Sequence, residues 1–320
     1  MSPSPRLVAI GGGTGLSALL MAAKTLPVEH ITAVVTVTDD GGSTGRLRRE
    51  FHIPAVGDLR HCLVALAEDH ELLARLFDHR FSGEGPLGGH SLGNLFLAGL
   101  LQMTGDVGRA VRLSAEVLNV RGTILPATTA NVHLVGHAAD GTRLEGESRV
   151  SAAGPPARVE LEPADPPAVP EAVAALRNAD LVFLGPGSLF TSVVPNLLVP
   201  GIARAVAGRR GPLVLVTNLM TQPGETSGLS VRDHVEAVLR HAPDCAPDVV
   251  LVNDRPPSEA VRARYAAEGA EPLLAGDPAR WTGPGRLLPW PLLVETPDGL
   301  VRHGTAELAA AVRSLLEEIP

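Results

Sequence analysis

The sequence predicts an α/β protein, a mostly parallel sheet covered by helices on both faces, with a β-hairpin region inserted near residues 121–163. Short apolar runs, among them Leu7–Ile10, Leu181–Leu184 and Val249–Val252, alternate with stretches of helical periodicity. Strands alternating with helices in this way are buried in a parallel sheet. Glycine, Asn, Ser, Thr and Asp gather directly behind those runs, at the sheet edge where such folds bind ligands. Between 121 and 163 the pattern changes, and Asp140-Gly141 separates Val132–Val135 from Arg143–Glu147 as a hairpin turn does.

In chain order, residues 7–10 and 31–38 read as buried parallel strands joined by a helix from about Ser17 to Lys24, one βαβ unit. Residues 59–80 and 91–118 carry helical periodicity, with Leu63, Leu66, Leu72, Leu73 and Leu76 on the first stretch. The hairpin follows, then a proline-rich connection from Pro163 to Pro170. The second half repeats the first, with strands at 181–184, 213–217 and 249–252 and helices near 168–178, 196–208, 230–241 and 256–268. Residues 276–304 read as irregular, before a terminal helix from Thr305 to Glu318. The expectation is a single domain over 1–320: an α/β part at about 6–120, the hairpin insertion at about 121–163, and a second α/β part at about 168–320.

Composition bounds the function. The 320 residues are 45% hydrophobic and only 3% aromatic, enough for an aliphatic core. A net charge of −8 with no basic block argues against nucleic acid as partner. No apolar run has the length of a transmembrane helix, and Met1-Ser-Pro-Ser-Pro5 lacks a signal-peptide core. Cys62 and Cys245 have no CxxC or zinc spacing, which suits a reducing compartment. A cytoplasmic protein with no membrane partner is expected. Lys24 is the only lysine, which excludes a P-loop lysine on a γ-phosphate.

The loops behind the strands carry the candidate chemistry. Gly11, Gly12, Gly13, Thr14 and Gly15 lead from an apolar strand into a helix. Such glycines let backbone N–H groups approach a phosphate, and Thr14 adds a hydroxyl. The loop is no Walker A motif, and Gly11, Gly13 and Leu16 fit G-x-G-x-x-G only in part; a tight turn without ligand is the alternative. Asp39, Asp40, Gly41, Gly42 and Ser43 follow the second strand. Asp39 or Asp40 can hold a ribose hydroxyl or a hydrated Mg²⁺, or the segment is an Asp-Gly turn with a helix cap. Beyond it, Arg60 suits bidentate phosphate contacts, Asp58 a ligand contact or an N-cap, and His61 an acid/base or a structural role. His90, Ser91 and Asn94 open another helix, with Ser91 equally suited to capping or ligand contact. No G-x-S-x-G elbow accompanies them, which argues against a hydrolase. Gly185, Gly187, Ser188 and Thr191 form a third strand-end loop, with Asn196 just beyond. In the fourth loop Asn218, Thr221 and Gln222 suit a base or sugar edge, and Glu225 a hydroxyl, a metal or a helix cap. Arg302, beside His303, is a phosphate clamp or an ordinary surface arginine.

Taken in order, Gly11–Leu16, Val37–Arg48, Gly57–Ala67, Gly89–Leu95, Gly185–Val199 and Asn218–Thr226 resemble the gluconeogenesis-factor (YvcK) family. The resemblance spans nearly all of residues 7–254, and Arg302-His303 is similar too. The wider superfamily includes CofD, the 2-phospho-L-lactate transferase of deazaflavin-coenzyme biosynthesis. The resemblance implies a Rossmann-like core in a cytoplasmic protein that binds UDP-sugars, notably UDP-N-acetylglucosamine. It further implies ties to carbon partitioning, cell-wall precursor supply and cell shape, with no catalytic reaction generally attached to this branch. Gly11–Gly15 and Asp39–Ser43 are then expected to line one pocket, with the 185–191 and 218–226 loops around it and Arg302 assigned by the resemblance. The chain departs at Pro54-Ala-Val-Gly-Asp58, where relatives often have Pro-Pro-Gly-Asp; Asp58 and Arg60 remain in place.

Three functions compete. A UDP-sugar-responsive regulator needs diphosphate contacts and a uracil pocket, but no catalytic group and no obligatory cofactor. A CofD-like transferase moving a phospholactyl-type group from a nucleotide carrier would use Mg²⁺ on Asp39 or Asp40 and place its acceptor with His61, Ser91 or Asn94. An NAD(P) oxidoreductase has only the partial fingerprint in its favour. The regulator is the expected function, and a homo-oligomer and a regulatory protein partner are compatible with it.

Overall fold

Apolar runs of β-branched and leucine residues form strands that bury both faces. The computed structural model describes residues 4–68 and 70–319. Its main sheet starts from β1 (Arg6–Gly11), β2 (His30–Val35) and β3 (Thr123–Pro126). Next in the chain, β4 (His133–His137), β5 (Arg143–Glu145) and β6 (Arg158–Glu162) make a separate antiparallel sheet with β4 in the middle. The main sheet resumes with β7 (Leu181–Leu184), β8 (Leu213–Val216), β9 (Val249–Asn253) and β10 (Arg286–Trp290). Its seven strands are all parallel, in the order β10-β9-β8-β7-β1-β2-β3. A short antiparallel pair, β11 (Leu293–Glu295) and β12 (Val301–His303), completes the strands. The chain steps outward from β1 in one direction and from β7 in the other. β1 and β7, paired Leu7 to Leu181 through Ile10 to Leu184, therefore form the topological switch point.

Helix α1 (Gly13–Lys24) joins β1 to β2 and buries Leu16, Leu19, Leu20 and Ala23, one helical face. The connection from β2 to β3 carries α2 (Gly42–Phe51), α3 (Gly57–Leu66), α4 (His70–Asp78), α5 (Leu92–Thr104) and α6 (Val107–Val117). Then come α7 (Glu147–Val150) in the inserted sheet, α8 (Pro170–Arg177), a π-turn (Leu189–Val193) continuing into α9 (Val194–Leu197), and α10 (Pro200–Ala207). The chain ends through α11 (Val231–His241), α12 (Glu259–Ala267) and α13 (Thr305–Glu317). α1 packs against α3 and α13, and α8 against α10. Right-handed crossovers running in opposite directions put α1 and α10 on opposite faces. Among the described residues no single helix is long and apolar enough to cross a membrane.

The α/β class, the parallel sheet and the hairpin at Asp140-Gly141 are as the sequence predicts; the differences have local causes. The 91–118 stretch is two helices, because Gly105 takes φ 67° and Asp106 caps α6 by accepting the Arg109 N–H at 2.6 Å. The 196–208 stretch breaks before Pro200, which starts α10 at its first turn. β3, inside the segment read as insertion, is the edge strand of the main sheet, so the separate sheet begins only at His133. Its third strand, β6, was not foreseen, although Val159 and Leu161 alternate there with charged residues and are buried. The 276–304 segment, expected to be irregular, holds β10 to β12; Pro289 sits in β10 because an edge strand tolerates a missing donor.

The inserted sheet is tied to the main one by a buried arginine. Arg48 donates to the carbonyls of Thr38 and Asp39 (2.9 and 3.1 Å), to Val132 O (2.7 Å) and to Asn131 Oδ1 (2.9 Å). Arg48→Ala leaves these acceptors unpaired and is expected to cost about 3 kcal/mol, read as a lower urea midpoint at unchanged slope. Arg48→Lys, with three donors and no planar fork, restores only part of it.

Candidate functional site: a cleft at the switch point

Only Gly12 separates β1 from α1. Gly13 takes φ 63°, a backbone conformation side chains disfavour, and the helix starts there, four residues before Ser17. Gly12 has no side chain to cap the helix and no acidic residue stands in its first turn. The first N–H groups and the positive end of the helix dipole are thus left to an anion. Across the switch point Gly187 and Ser188 follow β7. A Cβ on Gly15 would lie 2.6 Å from the Pro186 carbonyl oxygen, so this glycine lets the two loops meet. Gly12, Gly13, Thr14, Gly15, Gly187 and Ser188 floor a cleft of about 520 Å³, a size usual for small-ligand sites.

The two walls differ in chemistry. On the β8 side Asn218 Nδ2 donates to Gln222 Oε1 at 3.0 Å and Gln222 Nε2 to Ser188 Oγ at 2.9 Å, which fixes both amides. Thr221 is held there by the Glu271 N–H, which donates to its Oγ1 at 2.8 Å. Leu219, Met220, Ala270, Val301 and the chain's single tyrosine, Tyr265, add apolar surface. Arg302 is the one arginine or lysine among the described residues lining the cleft. On the β2 side stand Asp39, Asp58 and Glu147. Burial pushes the Asp39 carboxyl above its usual range, opposed by the Gly41 N–H bond of 2.8 Å and reinforced by Asp58. Burial, then the charges of Asp58 and Asp39, pushes Glu147 well above its usual range. Its Oε2 is shut off from solvent and has no hydrogen-bond partner among the described residues.

The other residues singled out in the sequence lie beneath or beside the cleft. Gly185 N–H donates to Ile10 O at 2.8 Å, and Asn196 Nδ2 to Gly11 O (3.2 Å) and Ser192 O (2.7 Å), so Gly11, Gly185 and Asn196 lock the floor from below. Glu225 accepts the Phe190 and Thr191 N–H groups at 2.8 and 3.1 Å. It caps the π-turn, and Thr191 is buried with it. Asp40 turns away from Asp39, its Oδ1 accepting Ser148 N–H (3.0 Å) and Oγ–H (2.6 Å). Gly41 and Gly42 form the entry to α2 and do not line the cleft.

A buried polar network occupies the place expected for a phosphate clamp. Ser43 Oγ lies 3.0 Å from His90 Nδ1, and Asn94 Nδ2 donates to Ser43 Oγ and Thr44 Oγ1 at 3.2 and 3.3 Å. Arg60 Nε donates to Asn94 Oδ1 at 3.0 Å, and its guanidinium also pairs with Asp78. Arg60 is 3% exposed, so its donors serve α5 and α4 rather than the cleft. Ser91 accepts the Asn94 N–H at 3.2 Å as the N-cap of α5. These groups satisfy one another at the polar end of an apolar helix, where orphaned donors would be costly.

Among the polar residues of the cleft, sequence reasoning missed Glu147, Ser192, Tyr265 and Glu268. Ser192 stands in the Gly185–Val199 motif, one residue past Thr191; the others stand in no strand-end motif, Glu147 arriving from the inserted sheet and Tyr265 and Glu268 from α12 and its end. Among the described residues no group of three or more His, Cys, Asp or Glu is placed to hold a metal ion. Asp39 and Asp58, rather than Asp39 and Asp40, do share the cleft, and one or two carboxylates are what Mg²⁺ takes from a protein when phosphates and water supply the rest.

His303 closes the cleft beside Arg302, with Nε2 3.2 Å from Thr217 O, and burial lowers its pKa from 6.5 to about 4. The unfolded chain then binds this proton more readily than the folded one. Its contribution is complete above pH 6.5 and is lost as pH falls towards 4. His303→Gln is expected to flatten the fall in melting temperature across that window, by up to about 3 kcal/mol of stability at its acid end, measured by thermal unfolding from pH 4 to pH 7.

The CofD family, described as 2-phospho-L-lactate transferase, matches residues 7–282. The gluconeogenesis factor of Halalkalibacterium halodurans is 46% identical over 308 residues, covering 96% of this chain and 95% of that protein. The gluconeogenesis factor of Bacillus subtilis is 42% identical over 319 residues, covering 99% and 100%. A crystal structure of a Bacillus halodurans protein superposes with a TM-score of 0.92 at 44% identity, covering 97% of this chain and 99% of that one. With a glycine-floored cleft at its switch point and relatives matched end to end, the chain belongs to the CofD family and, within it, to the gluconeogenesis factors (YvcK family).

Proposed function

We propose that the cleft is a receptor site for a UDP-sugar, UDP-N-acetylglucosamine first among them, and that the chain is a cytoplasmic regulator of carbon partitioning, cell-wall precursor supply and cell shape. The observation that carries this reading is the order of chemistries along the sheet edge. An amide-and-apolar wall with the exposed Glu268 at its rim lies on the β8 side, a glycine-floored helix N-terminus in the middle, and a carboxylate wall on the β2 side. In this reading the diphosphate rests on the N–H groups of Gly13 to Gly15 with Arg302 as counter-charge. The uracil lies against Tyr265 and Met220, and the amides of Asn218 and Gln222 meet its N–H and carbonyl groups.

A second reading, a Mg²⁺-dependent transferase of phospholactyl-type groups, is favoured by the Asp39 and Asp58 pair and by the family's description. There the two carboxylates would hold the ion, which would offset charge on the transferring phosphoryl group.

Calorimetric titration with UDP-N-acetylglucosamine, with and without Mg²⁺ and with GTP and NAD as controls, separates the two. Selective binding with a Kd on the order of micromolar (about −8 kcal/mol) is expected for the UDP-sugar alone. Guanine nucleotide binding that needs Mg²⁺, with no UDP-sugar binding, overturns the receptor reading in favour of the transferase. Arg302→Ala and Gly15→Ala are each expected to weaken the UDP-sugar about tenfold or more, the first by removing the counter-charge, the second by driving α1 away from Pro186 O.

A further inference from the structure

Among the described residues, Glu147 is the one cleft-lining side chain contributed by the inserted sheet, and its surroundings single it out. Gly146 N–H donates to Leu134 O at 2.8 Å, fixing the start of α7 on β4. Ser148 then docks on Asp40, and Gly154 N–H donates to Gly224 O at 2.7 Å, so the segment is held by the loops behind both β2 and β8. This anchoring turns Glu147 into the cleft on the Asp39 and Asp58 side. A sealed carboxylate oxygen with no partner among the described residues, on a segment fixed by three backbone or side-chain attachments, is a costly arrangement in the free protein. It becomes a favourable one when a ligand brings a donor.

The donor's identity follows from position, and the argument rests on the receptor reading above. Uracil's flat ring suits the apolar surface of Tyr265 and Met220 on the β8 side. Phosphate oxygens are acceptors only and belong at the α1 N-terminus. The group lying beyond the phosphates, towards β2, is the glycosyl residue, whose hydroxyls donate and match carboxylates. We infer that Glu147 is the glycosyl-recognition residue of the cleft, and that the inserted sheet exists at this edge to distinguish a nucleoside diphosphate sugar from the bare nucleoside diphosphate.

The test compares Kd values for UDP-N-acetylglucosamine and for UDP in the full chain, in Glu147→Gln and in Glu147→Leu, with and without Mg²⁺, after thermal unfolding shows each variant folded. The leucine variant is expected to lose on the order of tenfold for the sugar nucleotide, while its affinity for UDP stays unchanged. Glutamine keeps the shape and one acceptor oxygen, so the ratio of sugar-nucleotide to UDP affinity should fall in the order Glu, Gln, Leu. Should Glu147→Leu not fold, the glutamine variant alone decides by that ratio. An equal loss for both ligands, no loss for either, or a loss seen only with Mg²⁺ overturns the inference and leaves the receptor reading intact. Failure of the unaltered chain to bind UDP and UDP-N-acetylglucosamine overturns both.

Discussion

The one-residue turn between β1 and α1 is the constraint on which the cleft depends. With Gly12 alone between strand and helix, the N-terminus of α1 is pressed against the end of β1, at the place where the sheet's winding reverses. A longer loop would carry the helix N–H groups away from the edge. The turn is held from below by Asn196 on Gly11 O and from the side by the contact of Gly15 with the Pro186 carbonyl. These holding groups come from the segment behind β7, so neither half of the chain makes the floor alone. The glycines are therefore selected twice, once for the backbone conformation of Gly13 and once for the closeness of Gly15.

In the receptor reading, that geometry lets a chain of net charge −8 hold an anion. The positive potential comes from oriented backbone groups and one arginine rather than from a basic surface. The arginines that sequence position made attractive are spent inside the fold. Arg48 fastens the inserted sheet and Arg60 organises the polar end of α5. In both, a planar fork with several donors meets several fixed acceptors, a task a lysine performs poorly.

Much of the frame was legible because parallel strands carry their signal locally. Leu7–Ile10, Leu181–Leu184 and Val249–Val252 are unbroken apolar runs ended by glycine or Asn, and each became a strand of the main sheet. The floor loops were legible for the same reason. What could not be read was direction. Asp39 and Asp40 are adjacent, yet one faces the cleft and the other Ser148, and only the docking of α7 decides between them. Arg60 and Asn94 stand in motif-like settings, but each finds its partner 34 residues away. Glu147 and Tyr265 belong to no motif, and their places follow from long-range packing that no spacing encodes.

The walls also bear on whether a reaction should be sought here. A transferase needs a group that accepts a proton from the acceptor hydroxyl near neutral pH. His303, the histidine among the described cleft residues, is held neutral with a pKa of about 4 and is tied to Thr217 O, which makes it a weak base. His61 lies behind Asp58, its Nδ1 3.9 Å from the carboxylate, and does not line the cleft. The groups that remain are the carboxylates, and of these Asp39 and Glu147 have their protonated forms favoured by burial. A protonated carboxyl donates one hydrogen bond and an ionised one accepts, so this wall can match hydroxyls of either polarity. Recognition asks no more of it than that, and the architecture puts its precision into holding the floor and aiming the walls.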